Sequence, residues 1–302
     1  MEVIGRLLYL VVLLFVGVGL RAGGILDESR TNRLNLAVYY VALPALVFTS
    51  AYDQPLADLV SPALLAGVWF VLLSTAVIAW VVHRNRDPSA RRGVAVVQSY
   101  HSNLGYLGLP LVAATLGSEA AAIGSVILGI GVLTQVPLTI LVLVRLNGAA
   151  VSIRRQLRRL VTDPVLTALA VGLAVSTVGL PVPTLAATGL EGLASLALPL
   201  ALLCVGASLR LELSEIDVGA TGSVVACNVL WMPVLAWGVF SALGVGGAAF
   251  AAAVVMLGTP TAVSTFIYAT EHGGDVAFAS LNVFVTTVAS VLTLFVLIAL
   301  VG

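Results

Sequence analysis

Apolar residues run through this chain in stretches of about 20, the length an α-helix needs to cross a bilayer. Counted on that basis, ten stretches emerge, at 3–21, 32–51, 61–83, 93–116, 119–145, 164–180, 188–209, 218–243, 246–270 and 275–301. Lipid offers no hydrogen-bond partner to a backbone, so each stretch must satisfy its own N–H and C=O groups as a helix. The 302 residues are 60% hydrophobic and only 9% charged, with a mean hydropathy of +1.12. Soluble domains carry about a quarter charged residues, which excludes a soluble enzyme. The first stretch, Val3 to Leu20, has the length of a signal peptide. It lacks a basic start and a small-residue cleavage site, and Arg21 follows it, so it reads as the first span. Cys204 and Cys227 fall inside spans and read as small packing residues, not as a disulfide. With no phosphate-binding loop, no His/Cys metal spacing and no extramembrane domain of a size to bind ATP, neither a cofactor nor ATP-driven chemistry is expected.

The charges sort the gaps into two sets. Every basic residue is Arg. Arg21, Arg30, Arg33, Arg84, Arg86, Arg91, Arg92, Arg145, Arg154, Arg155, Arg158, Arg159 and Arg210 occupy one set of gaps. The alternate gaps hold Asp53, Asp58, Glu119 and Glu191 with no basic residue, and only Arg6 lies on that side. By the positive-inside rule the Arg-bearing loops are cytoplasmic. The chain is then a multi-pass protein of the cell membrane with both termini extracellular. The gap from Glu271 to Asp275 holds no Arg and does not vote.

The longest connection, Asn147 to Asp163, divides the stretches five and five. Residues 1–146 form a first five-helix repeat, 147–163 a cytoplasmic Arg-rich linker, and 164–302 a second repeat. Ala42-Leu43-Pro44 in the second stretch returns as Ala197-Leu198-Pro199 in the seventh. Leu107-Gly108-Leu109-Pro110 in the fourth returns as Leu257-Gly258-Thr259-Pro260 in the ninth, in the same order. Five is odd, so the second copy enters the membrane inverted. The expected fold is an all-α integral membrane protein of ten transmembrane helices, as two inverted five-helix repeats with broken, crossing helices 4 and 9. In the linker, Arg154-Arg155-Gln156-Leu157-Arg158-Arg159 reads as a solvated loop or as a holder of anionic lipid or a regulator.

The fourth stretch carries Gln98, Ser99, Tyr100, His101, Ser102 and Asn103 ahead of Pro110, whose ring removes a backbone donor. A freed backbone group in hydrocarbon costs several kcal/mol, roughly, unless protein or water meets it. Such a helix belongs beside a cavity. Bared amides carry about half a positive charge and suit an anion, and bared carbonyls suit a cation. Leu111 and Val112 after Pro110, and Thr261 and Ala262 after Pro260, would offer the amides; Thr261, Ser264 and Thr265 add hydroxyls. Each proline could equally be a simple kink. Asn103, seven residues before Pro110, can donate and accept toward a carboxylate or an indole-like ring, or bond a neighbouring helix. His101 is the histidine well inside a span; it could carry a coupled proton or pack as a neutral group. Asn282, Thr286 and Ser290 share one helical face, as do Gly131, Gln135 and Thr139. Asn282 and Gln135 therefore either line a pathway or form a seam, whereas isolated Asn228 reads as packing. Glu271 and Asp275 bracket His272-Gly273-Gly274 as a capped surface turn. No Arg lies within a span to neutralise an anion.

These residues resemble the auxin efflux carrier family, which includes the plant PIN-formed auxin transporters and many prokaryotic relatives. The resemblance rests on Asn103-Leu-Gly-Tyr-Leu-Gly-Leu-Pro110-Leu, on Pro260-Thr-Ala-Val-Ser-Thr-Phe-Ile-Tyr-Ala-Thr-Glu271 and on Leu198-Pro-Leu-Ala-Leu-Leu-Cys-Val-Gly-Ala-Ser-Leu209. It implies ten helices in two inverted repeats, with the fourth and ninth crossing at Pro110 and Pro260. It also implies an elevator-type carrier, in which helices 1, 2, 6 and 7 form a scaffold and the other six move. Asn103 would contact substrate. Plant relatives export the auxin anion, and prokaryotic ones are associated with organic acids such as malate or malonate. Two departures weigh against auxin: the plant proteins' long central loop is absent, and Pro260-Thr261 stands where plant members tend to have Pro-Gln.

The expected function is thus a secondary transporter moving a small organic anion, a carboxylate or auxin-like acid, outward across the membrane. The alternative is a sodium-coupled symporter resembling bile-acid transporters, with Asn103, Thr134, Gln135 and Asn282 among its oxygen ligands. A membrane sensor or intramembrane enzyme is disfavoured, for no Ser/His, paired-Asp or His-Glu-x-x-His arrangement and no output domain is present. The partners expected are the organic anion and the lipid bilayer, with a homodimer left open and no nucleic acid.

Overall fold

The computed structural model describes residues 2–148, 152–208 and 217–302, which form helices and short connections. Leu209 and Arg210, and the linker's residues 149–151, lie outside the described residues, as does the Arg6 side chain. The chain opens with α1 (Glu2–Ala22), then α2 (Glu28–Ala37) and α3 (Leu43–Ala51), then the short α4 (Leu56–Leu59) and long α5 (Pro62–His83). The fourth stretch is split into α6 (Ser89–Tyr100) and α7 (Leu109–Thr115), followed by α8 (Ser118–Asn147). The linker holds α9 (Ile153–Val161), which leads into α10 (Pro164–Val178), α11 (Thr184–Ser195) and α12 (Ala197–Ser208). Next come α13 (Val218–Val225) and α14 (Met232–Ala242). The ninth stretch is again split, into α15 (Gly247–Leu257) and α16 (Ser264–Glu271), and α17 (Val276–Val301) ends the chain. Six rods are long and apolar enough to cross a membrane: Glu28–Ala51, Leu56–His83, Ser118–Asn147, Thr184–Ser208, Val218–Ala242 and Val276–Val301. The pair α9 and α10, bent by 45°, makes a seventh if counted as one. Their outward faces expose large apolar side chains such as Phe70, Val77 and Leu292, as lipid-facing helices require.

Three of the prolines within helical runs, Pro44, Pro110 and Pro233, share one device. A wide i→i+5 turn precedes each: Val38–Ala42 before Pro44, Leu104–Gly108 before Pro110, and Ala226–Trp231 before Pro233. Proline lacks an N–H and its ring strikes the carbonyl one turn back. A single wide turn moves that carbonyl aside and lets the helix continue. The fourth stretch consequently breaks at His101–Asn103 and not at Pro110, which lies in the first turn of α7.

Helices meet most closely where α1 lies on α12. A Cβ added to Gly206 would stand 2.1 Å from Leu14 O, and one on Gly17 2.5 Å from Leu203 O. Contact this close needs residues without side chains. On the Arg-bearing side, Asp217 and Asp275 cap the first turns of α13 and α17 through the amides of Ala220 and Phe278. The same carboxylates bind Arg86 at 3.1 Å and Arg91 at 2.8 Å, which ties the start of α6 to both helices. Cys204 and Cys227 are free and buried.

Candidate functional site

The two broken stretches cross, and their backbones bond each other at the crossing. Ser102 and Thr261 face each other as an isolated antiparallel bridge. Asn103 N donates to Pro260 O at 2.8 Å, and Ala262 N donates to His101 O at 2.9 Å. The remaining bared groups are met locally. Tyr100 O, near the end of α6, accepts from Ser102 N and from Gln135 Nε2 at 3.2 Å. Asn103 caps the onward half-helix, its Oδ1 accepting from Tyr106 N at 3.2 Å. The Nδ2 of the same side chain is a donor, which suits an anion. Pro260 lies within the second break. Leu111 lies inside the continuous helical run Leu104–Thr115, where its N–H points to the preceding turn. Ala262 N is taken by His101 O, whereas the Thr261 amide stands outside that pair of bonds; its hydroxyl reaches His101 O at 3.4 Å.

The face of α8 bearing Gly131, Gln135 and Thr139 clasps the break. A Cβ at Gly131 would lie 2.1 Å from Leu104 Cδ1, so the glycine makes room for the first residue of the wide turn. Thr139 Oγ1 holds His101 Nδ1 at 2.8 Å and the Tyr100 hydroxyl at 3.2 Å. One position along α8, Thr134 turns a different way. It donates to Ile130 O at 2.7 Å and accepts from Trp69 Nε1 at 3.1 Å. It lines an open apolar groove of about 430 Å³ with Trp69, Leu73 and Leu133. A step of one residue rotates a helical side chain by about 100°, given 3.6 residues per turn, and that step takes Thr134 away from the crossing.

Behind the crossing, Gln98 donates from Nε2 to Thr265 Oγ1 at 3.0 Å and to Ala279 O at 2.9 Å. Its Oε1 accepts from Asn282 Nδ2 at 2.8 Å. Ala279 O can only accept, so the orientation of Gln98 is fixed, and that of Asn282 with it. Asn282 Oδ1 is thereby left buried without a partner. Asn228, fully buried in the wide turn before Pro233, has neither amide atom bonded. The packing role expected of it is therefore not carried by a hydrogen bond. A cleft of about 110 Å³ opens beside the crossing, lined by Arg21, Thr31, Asn35, Val263, Phe266 and Ser280. Tyr106 donates to Asn35 O at 3.1 Å across its edge. Sequence reasoning missed this cleft because its walls come from five separate helices, α1, α2, α12, α16 and α17.

A family model described as "Membrane transport protein" matches residues 2–298. The chain belongs to that family. It is the family of the auxin efflux carriers and their prokaryotic relatives, so the protein is a membrane transporter. A Methanothermobacter thermautotrophicus protein named "Uncharacterized transporter" is 29% identical over 290 residues, covering 95% of this chain and 94% of the relative. A Rhizobium meliloti protein named "Putative malonate transporter" is 25% identical over 271 residues, covering 86% of this chain and 83% of the relative. The buried, unpaired oxygen of Asn282 lies on the helix that backs the crossing.

Proposed function

We propose that this transporter is an elevator-type secondary carrier that moves a small carboxylate anion outward across the cell membrane. The reading is carried by one observation: Asn103, whose oxygen caps the onward half-helix, offers an amide donor at a crossing of two broken helices. Malonate is the first cargo to try, on the name of the Rhizobium relative. Arg21 shares the cleft with Glu28, so it is the arginine's hydrogen-bond donors rather than a net positive charge that would meet an anion, and it lies on the side that the positive-inside rule makes cytoplasmic. Loading from that side suits export.

The same reading takes α1, α2–α3, α5, α6–α7, α8, α10, α11–α12, α13–α14, α15–α16 and α17 as ten spans with extracellular termini. Residues 1–146 and 164–302 are the inverted repeats, joined by the linker 147–163. Three helix pairings support it by recurring with the halves exchanged. α1 on α12 is matched by α10 on α3, α5 on α6 by α14 on α15, and α6–α7 on α8 by α15–α16 on α17. Thr31 and Asn35 would belong to the scaffold side of the cleft, Val263, Phe266 and Ser280 to the moving side.

Efflux of radiolabelled malonate from proteoliposomes tests the proposal; no efflux above protein-free liposomes, for malonate and a panel of related acids, sinks it. Sodium coupling is the second reading, favoured by the unpaired Asn282 oxygen, since a hard cation seeks such ligands. Transport indifferent to a sodium gradient removes it.

A further inference from the structure

α9 is the most segregated helix of the molecule, reading Ile-Arg-Arg-Gln-Leu-Arg-Arg-Leu-Val with no acidic residue. At 3.6 residues per turn, Ile153, Leu157, Leu160 and Val161 fall on one stripe and the four arginines on the rest. Most of that stripe is uncovered among the described residues: Ile153, Leu157 and Val161 are 76%, 57% and 79% exposed, and Leu160 is half-buried. The far edge of the helix is accounted for, since Arg159 binds Glu271 at 3.0 Å, at the end of the second broken stretch. Among the described residues, Arg154, Arg155 and Arg158 have no carboxylate partner. Arg154 and Arg158 border the apolar stripe, and α9 leans at 45° to α10, whose first turn follows within three residues.

We infer that α9 is an interfacial helix that binds anionic lipid headgroups. Its apolar stripe enters the acyl boundary at the cytoplasmic end of α10, while Arg154 and Arg158 reach outward to the headgroup charge. A solvated loop has no reason to present three apolar side chains in register with two unpaired arginines. Because Arg159 on the same helix holds Glu271, the lipid-bound helix is also tied to the end of α16.

The test uses the full-length protein carrying Leu157→Cys, labelled with a polarity-sensitive fluorophore, in nanodiscs of zwitterionic lipid with or without anionic lipid; the native cysteines are buried. With anionic lipid, emission is expected to shift to the blue and to be quenched by brominated acyl chains. Both effects should be lost in zwitterionic discs, at high salt, and in the Arg154→Gln/Arg158→Gln variant. Water-like emission in every disc overturns the inference. So does quenching that is equal in both lipids, which removes the selectivity for anionic headgroups. A blue shift without quenching overturns it as well, because it would place protein, such as a second copy, over the stripe. The readout does not pass through transport, so its failure leaves the carrier proposal untouched.

Discussion

Where α1 meets α12, backbone touches backbone through Gly17 and Gly206. Where the broken stretches cross, the contact is made by hydrogen bonds from Asn103 N and Ala262 N, backed by a polar network that leaves Asn282 Oδ1 unpaired. In lipid, apolar helices gain little from burying apolar surface, so close dispersion contact is what holds them. The glycine seam satisfies that demand fully and has nothing left to give a ligand. The crossing does the reverse, because a buried unpaired acceptor costs about 1–3 kcal/mol. One contact is complete within the chain, whereas the other leaves a buried acceptor unmet.

The seam gives the largest expected effect. Gly206→Ala places a methyl group against the Leu14 carbonyl, which cannot swing aside as a side chain would. The helices must separate, at a cost of about 2–3 kcal/mol, even though alanine favours a helix by about 1 kcal/mol. Thermal melting of the purified protein measures it. A variant melting with the wild type would erase the contrast between the two contacts.

Next comes the crossing itself. Asn103→Asp keeps the oxygen that caps Tyr106 N but replaces the amide donor with negative charge. Carboxylate efflux should fall at least about tenfold, or about 1.4 kcal/mol, with melting unchanged. Asn103→Ala should lose efflux and about 1 kcal/mol of stability together, because the cap goes as well. Full efflux by the Asp variant would show that the amide is merely structural.

Asn228→Leu asks whether unpaired polar groups near the crossing are a burden or an occupied site. Leucine keeps the branched outline with bulkier methyl ends and removes two unbonded amide atoms, so melting should rise by the equivalent of about 1 kcal/mol once the crowding is offset. A fall would mean that a bound water or ion completes Asn228 in the membrane, and the polar region would then extend to the wide turn before Pro233.

The apolar stretches are legible in the sequence because hydropathy over 20 residues is a strong signal, and the helices follow it closely. Pro110 misleads. Its chemical signature marks a break, but the wide turn of Leu104–Gly108 absorbs it. The break falls at His101–Asn103, where the backbone is held open by Pro260 and Ala262 from the other half of the chain. No local pattern can report a partner some 160 residues away. The stripe of Gly131, Gln135 and Thr139 was visible as a stripe, but only the structure shows it clasping the break. Gly17 with Gly19, and Gly206 beside Ala207 and Ser208, are a readable hint: small residues clustered within apolar stretches mark where helices approach closely.

Thr134 provides the smallest effect and the sharpest test of register. In the sequence it neighbours Gln135 and reads as an equal candidate for holding a coupled ion. In the structure its hydroxyl is spent on Ile130 O and Trp69 Nε1, in an apolar groove turned away from the crossing. Thr134→Val removes both bonds and leaves the indole N–H unpaired at an exposed position. Stability should drop by no more than about 1 kcal/mol, and efflux should keep its rate and its response to sodium. A sodium response that weakens in this variant would pull the ion path toward α5, and the crossing would no longer be the only place where the membrane interior is polar for a purpose.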